Sequence, residues 1–188
     1  MEEVTKEYRH IPVLLSECLE QSNLKTHYTF VDATLGGAGH SSEVAQRLGS
    51  DGVLIGIDQD EMALDAAGAR LRNLALNTPP QIELLRGNFG NLDELLLEAE
   101  IPGVDAFLFD LGVSSPQLDF PSRGFSFKED SPLDMRMDPG KQTVTAAELI
   151  NTLDASELTR IIRDYSDEKW ASRIAQFIVE SREHAQIE

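Results

Sequence analysis

Tyr28-Thr29-Phe30-Val31-Asp32-Ala33-Thr34-Leu35-Gly36-Gly37-Ala38-Gly39-His40 is the stretch that decides the fold. Its first four residues are aromatic or β-branched, a strand signal that Asp32 closes. They run directly into a loop with glycine at positions 36, 37 and 39. A helix is expected from His40 to Leu48, where Val44 and Leu48 share a face and Gly49 stops the run. Strand, glycine loop and helix together open a βαβ unit.

The same rhythm continues outward. Gly52–Asp58 (GVLIGID) is a continuous apolar run closed by an acid, as in a strand buried on both faces. A helix rich in Ala, Leu and Arg follows from Asp60 to Leu74. Then come a strand at Ile82–Leu85, a helix at Leu92–Glu98 and a further buried strand at Val104–Asp110. Alternation of this kind predicts a parallel sheet with right-handed crossovers, the doubly wound, Rossmann-like α/β class. Only four strands are visible, where such sheets usually have about five to seven, so the sheet is expected to be incomplete and the chain truncated.

After Asp110 the rhythm changes. Residues 111–142 are dense in Gly, Pro, Ser and Asp without a clear period, and read as one long loop of the kind that is functional or disordered. From Thr143 the chain turns helical, with capping-box patterns at Thr145/Glu148 and Asp154/Glu157. Leu158, Ile161, Ile162 and Tyr165 form one apolar stripe, and Trp170, Ile174, Phe177 and Ile178 another. Both are expected to be packing surface.

Composition narrows the function. The 188 residues carry 16 Lys+Arg against 33 Asp+Glu, a net charge of −17. The acidity is even: residues 1–100 hold 7 basic and 17 acidic side chains, residues 101–188 hold 9 and 16. Such a field repels phosphate backbones and excludes a general nucleic-acid binder. A hydrophobic share of 41% argues against disorder. The lone Cys18 excludes an intrachain disulfide and a CxxC metal site, pointing to a reducing compartment. Without an apolar run of signal-peptide or membrane-span length, a cytoplasmic protein is expected. His10, His27, His40 and His184 lack ligand spacing, so no metal site is expected.

Ligands of an open parallel sheet bind beyond the carboxyl ends of its strands, and the unusual residues of this chain fall there. The glycines at 36, 37 and 39 let backbone N–H groups approach a ligand, and the following helix points its positive end at the same place. A tight turn is the bland alternative. Asp58 closes the second strand 19 residues after Gly39, where a carboxylate can accept from both hydroxyls of a ribose. Its alternative is a cap for the helix starting near Asp60. A dinucleotide fingerprint would need a third glycine where Ser42 stands, and no Gly-Lys-Ser/Thr phosphate loop is present. S-adenosylmethionine has a ribose but no phosphate, which favours a methyltransferase over a nicotinamide-dependent dehydrogenase. Asp110, at the end of the fourth strand, sits where an oxygen acceptor can take a hydrogen bond from a target amine while its lone pair faces the methyl carbon.

Five motifs carry a resemblance. They are His-Ile-Pro-Val-Leu-Leu (10–15), Asp-Ala-Thr-Leu-Gly-Gly-Ala-Gly-His (32–40), Asp-Leu-Gly-Val-Ser-Ser-Pro-Gln-Leu-Asp (110–119), Arg-Gly-Phe-Ser-Phe (123–127) and Pro-Leu-Asp-Met-Arg-Met-Asp (132–138). With them the chain resembles the bacterial 16S ribosomal RNA cytosine-N4 methyltransferase family from about His10 onward. The resemblance implies that Gly37, Ala38, Gly39 and His40 border the methionine part of S-adenosylmethionine and Asp58 its ribose. Phe89 would flank the adenine, Asp110 and Gln117 would complete the pocket, and Asp110 would be catalytic. The family commonly has glycine where Ala38 stands, a change expected to be tolerated.

The resemblance further implies a partition into residues 1–120 (the N-terminal part of the cofactor-binding domain), 121–142 (an active-site loop) and 143–188 (the start of an inserted helical substrate domain). Its implied partner is small-subunit ribosomal RNA or an assembling 30S particle, with homodimerisation as a further possibility and no membrane. For the 111–142 loop the functional reading is a cover over a flipped cytidine. Phe120, Phe125 and Phe127 would offer stacking rings or else simply anchor the loop to the core, and Arg123 and Arg136 would meet phosphate or else pair with Asp134 and Asp138. A fragment that binds the cofactor without catalysis is the competing reading from another class.

Overall fold

The computed structural model describes residues 12–188. The chain forms two compact units that divide between Gly112 and Val113. In the first, α1 (Leu15–Ser22) precedes β1 (Thr29–Asp32), α2 (Gly39–Ala45), β2 (Val53–Asp58), α3 (Glu61–Arg72), β3 (Gln81–Arg86), α4 (Leu92–Glu98) and β4 (Ala106–Leu108). All three strand pairings are parallel and the order is β3-β2-β1-β4. The chain therefore steps outward from β1 through β2 to β3, then crosses back to lay β4 on β1's other side. That reversal is the topological switch point of a doubly wound sheet, and it lies between β1 and β4. The expected Rossmann-like class is the one observed.

Alternation along the strands builds two cores. Phe30 of β1 and Leu54 of β2 face one side, where they pack with Val44, Leu48, Ala67 and Leu71 from the α2 and α3 segments. Val31, Ile55 and Ile57 face the other, where Leu92, Leu95 and Leu96 of α4 cover them. Burial on both faces explains why Val53–Asp58 reads as unbroken apolar sequence. Gly56 interrupts the run for a steric reason: a Cβ there would come within 2.7 Å of Leu35 Cδ1. Leu35 thus pins the glycine loop down onto the sheet.

β4 is shorter than the expected Val104–Asp110, and the cause is its neighbour. Asp105 N–H still donates to Thr29 O, and Ala33 N–H donates to Leu108 O at 2.9 Å. Beyond that point β1 turns into the glycine loop and offers no further ladder. The helix after the loop likewise stops at Ala45, and the last stretch to Leu48 tightens through an Arg47 N–H to Val44 O turn.

The expected loop, residues 111–142, which runs into the second unit, is not structureless throughout. It contains α5 (Ser115–Asp119) and a 3-10 turn at Pro121–Arg123. Gln117 caps α5 reciprocally with Ser114, a box too short-ranged to show in apolar periodicity. Three helices follow: α6 (Ala146–Thr152), α7 (Ala155–Ser166) and α8 (Ala171–Arg182). Their expected caps form, with Thr145 accepting from Glu148 N–H and Asp154 accepting from Ser156 and Glu157 N–H. The apolar stripes are only partly packing surface. Leu158, Ala171 and Ala175 are buried, whereas Tyr165, Trp170 and Phe177 stand exposed. The buried residues of α8 are its two small ones, leaving the large rings outside, with the Arg173 guanidinium 5.4 Å from the Phe177 centroid.

Candidate cofactor site at the strand ends

The glycine loop is fixed by β2. Leu35 N–H donates to Ile57 O at 3.0 Å, and Gly36 N–H donates to Asp58 Oδ2 at 2.8 Å. Asp58 Oδ1 accepts from Asp60 N–H at 2.9 Å. The helix cap is Asp60 itself, whose carboxylate accepts from Met62 N–H. Asp58 is therefore not the cap; it ties β2 to the loop and keeps spare lone pairs on both oxygens. Burial pushes its carboxyl up, against the backbone N–H donors, and the Asp60 charge adds to the rise.

The three glycines answer three different needs. Gly36 has φ +49°, a left-handed conformation. Gly39 makes room for Pro12, because a Cβ there would lie 2.5 Å from the proline Cγ. Only at Gly37 is the space open, with nothing within 4 Å of a Cβ. Arg70 Nη1 donates to Gly37 O at 3.3 Å and holds the loop from behind. Ala38 also adopts the left-handed region, at φ 56°, and is fully buried in the apolar core. Its methyl faces the core, so it does not narrow the approach to the loop.

A second group gathers at the switch point, and sequence reasoning assigned roles to only part of it. Asp32 ends β1 and is buried; its Oδ2 accepts from Ser41 Oγ at 2.6 Å and its Oδ1 from Thr34 N–H at 3.2 Å. Burial raises its pKa above the ordinary 3.8, opposed by those hydrogen bonds and by His40, and abetted by Asp58. Thr34 Oγ1 in turn accepts from Asp110 N–H at 2.7 Å. His40, buried on α2, has Nε2 3.1 Å from Val13 O and Nδ1 4.0 Å from Asp110 Oδ2. His40 and Asp110 are thus brought together. The neighbouring roles of Asp32, Thr34 and Ser41 had one readable signal, a strand-ending acid with hydroxyl residues two and nine positions on.

Phe89 follows β3, and its rim is held at β2. Gly87 N–H donates to Asp58 O, and Asn88 Nδ2 donates to Gln59 Oε1 at 3.1 Å. The Phe89 ring meets Phe109 edge-on at 5.8 Å, and Phe109 stacks on Phe107 at 6.2 Å. β3 and β4 are the outer strands, roughly 14 Å apart at normal strand spacing. The Phe89 turn must therefore fold back over the ends of β2 and β1. All three rings remain partly exposed.

The remaining expected residues lie in the second unit. Gln117 is buried; its Oε1 accepts from Ser114 N–H at 2.9 Å and its Nε2 is 3.7 Å from Met137 Sδ. Arg136 pairs with Asp134, Nη2 to Oδ2 at 2.6 Å, while Arg123 donates to the Arg136 and Met137 carbonyls. Of the two expectations for these arginines, pairing holds for Arg136, and Arg123 holds backbone carbonyls of its own unit. Phe127 is fully exposed and Phe120 half so, while Phe125 is partly buried. His27 packs edge-on against Tyr28, His184 is exposed, and His10 and Ile11 lie outside the described residues. Among the described residues no His/Cys/Asp/Glu cluster could hold a metal ion, and no helix is long and apolar enough to cross a membrane.

A parallel sheet ordered 3-2-1-4, with a glycine loop at its switch point and an acid closing the second strand, defines the doubly wound α/β class, whose ligands bind beyond the carboxyl ends of the strands. The model of the MraW methylase family matches residues 7–188, and the chain belongs to that family. It is 45% identical to the ribosomal RNA small subunit methyltransferase H of Ruminiclostridium cellulolyticum, over 97% of this chain and 57% of that protein. The protein of the same name from Mycoplasma mycoides is 48% identical over 93% of this chain and 55% of its own length. The chain thus spans a little more than half the length of these relatives. The solved structure of an rRNA methylase from Streptococcus thermophilus is similar at 26% identity and a TM-score of 0.39, covering 53% of this chain and 51% of that one.

Proposed function

We propose that this chain is the cofactor-binding part of an S-adenosylmethionine-dependent methyltransferase acting on the N4 amine of a cytidine in small-subunit ribosomal RNA. The observation that carries it is the convergence of Asp58, the open side of Gly37, the Phe89 rim and Asp110 on the carboxyl ends of four parallel strands. The donor set fits the cofactor. Asp58 has lone pairs for ribose hydroxyls, Phe89 and Phe109 offer apolar faces for a purine, and Ser42 stands where a dinucleotide fingerprint needs its third glycine, which disfavours the dehydrogenase alternative.

The cofactor, when bound, supplies a methyl group on a positively charged sulfur. The chain's own residues supply the rest. Gly37, Ala38, Gly39 and His40 border the methionine end, and Asp110 accepts the hydrogen bond from the target amine. Methyl transfer to the amine would release one proton from it, which Asp110 or water would receive. His40 acts by standing beside Asp110 and bracing the Pro12–Val13 segment. The resemblance also gives Gln117 to the cofactor; its amide is engaged in capping α5, so the pocket is argued from the first unit.

Calorimetric titration of the chain with S-adenosylmethionine tests this reading. Binding that Asp58→Ala weakens supports it; a folded chain that binds NADH in preference overturns it. The competing reading, a binding part without catalysis, is favoured by one observation. The loop arginines Arg123 and Arg136, expected to meet phosphate, are engaged within their own unit. Methyl transfer to 30S particles by this chain, abolished by Asp110→Ala, would decide against it.

A further inference from the structure

The structure assigns Thr34 as a positioning residue for Asp110: its side-chain oxygen takes over from the β1 backbone ladder where that ladder ends. This rests on the proposed function of the site and deepens it. The last backbone bond between the two strands is Ala33 N–H to Leu108 O. One step on, β1 has turned toward Gly36 and presents no carbonyl to β4. Asp110 N–H would be left without a partner at the point where its side chain must be aimed, and Thr34 Oγ1 receives it at 2.7 Å.

Thr34 is held in its turn. Its backbone N–H donates to Asp32 Oδ1, and Asp32 Oδ2 accepts from Ser41 Oγ on α2. The adjacent residue of α2, His40, places Nδ1 4.0 Å from Asp110 Oδ2. The chain Ser41–Asp32–Thr34–Asp110–His40 closes on itself across β1, β4 and α2. Few side chains fit position 34 in this ring. An acceptor one carbon from the backbone is needed, and Val, although isosteric with Thr, has none.

Two measurements on the 188-residue chain decide the matter. In hydrogen exchange at Asp110 N–H, Thr34→Val should exchange faster by roughly three- to tenfold, in line with the loss of one hydrogen bond, while Thr34→Ser keeps the wild-type rate. In titrations with S-adenosylmethionine, Thr34→Val should weaken binding in the wild-type background and have no further effect in Asp110→Ala, because it acts through that residue. Unchanged exchange in Thr34→Val, or an equal loss of affinity in both backgrounds, overturns the assignment. A folded wild-type chain that ignores the cofactor overturns the proposed function instead, and the exchange rates then judge the Thr34 bond alone.

Discussion

The strand ends of the first unit and the 113–142 segment of the second are both polar, glycine-bearing and irregular, yet they use their charges in opposite ways. At the strand ends, buried Asp32 and half-buried Asp58 are held by backbone N–H groups and the Ser41 hydroxyl, without a cationic side chain hydrogen-bonded to them, and desolvation raises both above the ordinary carboxylate value. In the second unit Asp134 is bonded by the Arg136 side chain, and Asp154 accepts from the Ser156 hydroxyl as well as from the first N–H groups of α7; those bonds lower both carboxyls below the ordinary value. Acids that complete the protein's own structure are matched to donors that satisfy them. Acids whose carboxyls are raised by desolvation at the strand ends are the pattern expected of a functional site.

Breaking the self-satisfied region should show the largest effect. Arg123 is buried and donates to two carbonyls, so Arg123→Ala should destabilise the second unit by about 3 kcal/mol, read from urea unfolding. Lysine should not restore it, because a single ammonium cannot reproduce the planar fork. A variant of unchanged stability would return Arg123 to the role of a phosphate contact.

Asp58→Ala strikes the other region. It should weaken S-adenosylmethionine binding by about 10- to 100-fold, the range for hydrogen bonds to a charged group. The second unit's exchange rates should not change. If affinity survives, Asp58 serves only to hold Gly36 N–H.

These effects also show what could be read from residue order. Strand and helix positions were legible because apolar periodicity is a local property: the helix at Leu92–Glu98 is observed with the expected bounds, and β2 and β3 within one residue at each end. Asp58 was legible because it closes an apolar run. Thr34 was not, since its role depends on where β1 leaves β4, which is set by strand pairing and not by neighbours in sequence. For the same reason the sequence could not tell that Gly39 accommodates Pro12 while Gly37 faces open space. Nor could it show that the large rings of the α8 stripe stay outside while Ala171 and Ala175 are buried.

Acidity separates the two regions in sign. Asp32 and Asp58 have raised folded values, so their contribution is fully present below the ordinary 3.8 and is lost as pH rises through the folded values. Asp134 and Asp154 have lowered values; their contribution is present above 3.8 and lost as pH falls through the folded ones. Hydrogen exchange followed from neutral pH into the acid range should show this difference at the β1 and β2 ends relative to the α7 N-terminus. Asp32→Asn should remove part of the first unit's pH slope and leave the second's intact. Parallel slopes in both units would mean that the buried acids find compensation elsewhere.

The smallest expected effect is that of Ala38→Gly, where relief of backbone strain opposes two losses. A non-glycine residue in the left-handed region loses about 1 kcal/mol or somewhat more relative to glycine, and φ 56° places Ala38 there. Its methyl is wholly buried in the core, and removing one buried carbon sacrifices about 0.8 kcal/mol. Glycine also gains freedom in the unfolded chain, which subtracts about 0.4–1 kcal/mol from stability. Ala38→Gly should therefore leave the melting temperature nearly unchanged and, because the methyl points into the core, leave cofactor affinity unchanged as well. Ala38→Val separates the two faces of the loop. A branched side chain at positive φ in a filled core should destabilise the first unit by about 3 kcal/mol, combining overpacking with backbone strain. If instead Ala38→Gly strengthened S-adenosylmethionine binding severalfold at constant stability, the methyl would have to face the ligand, and the orientation of the loop described above would be wrong.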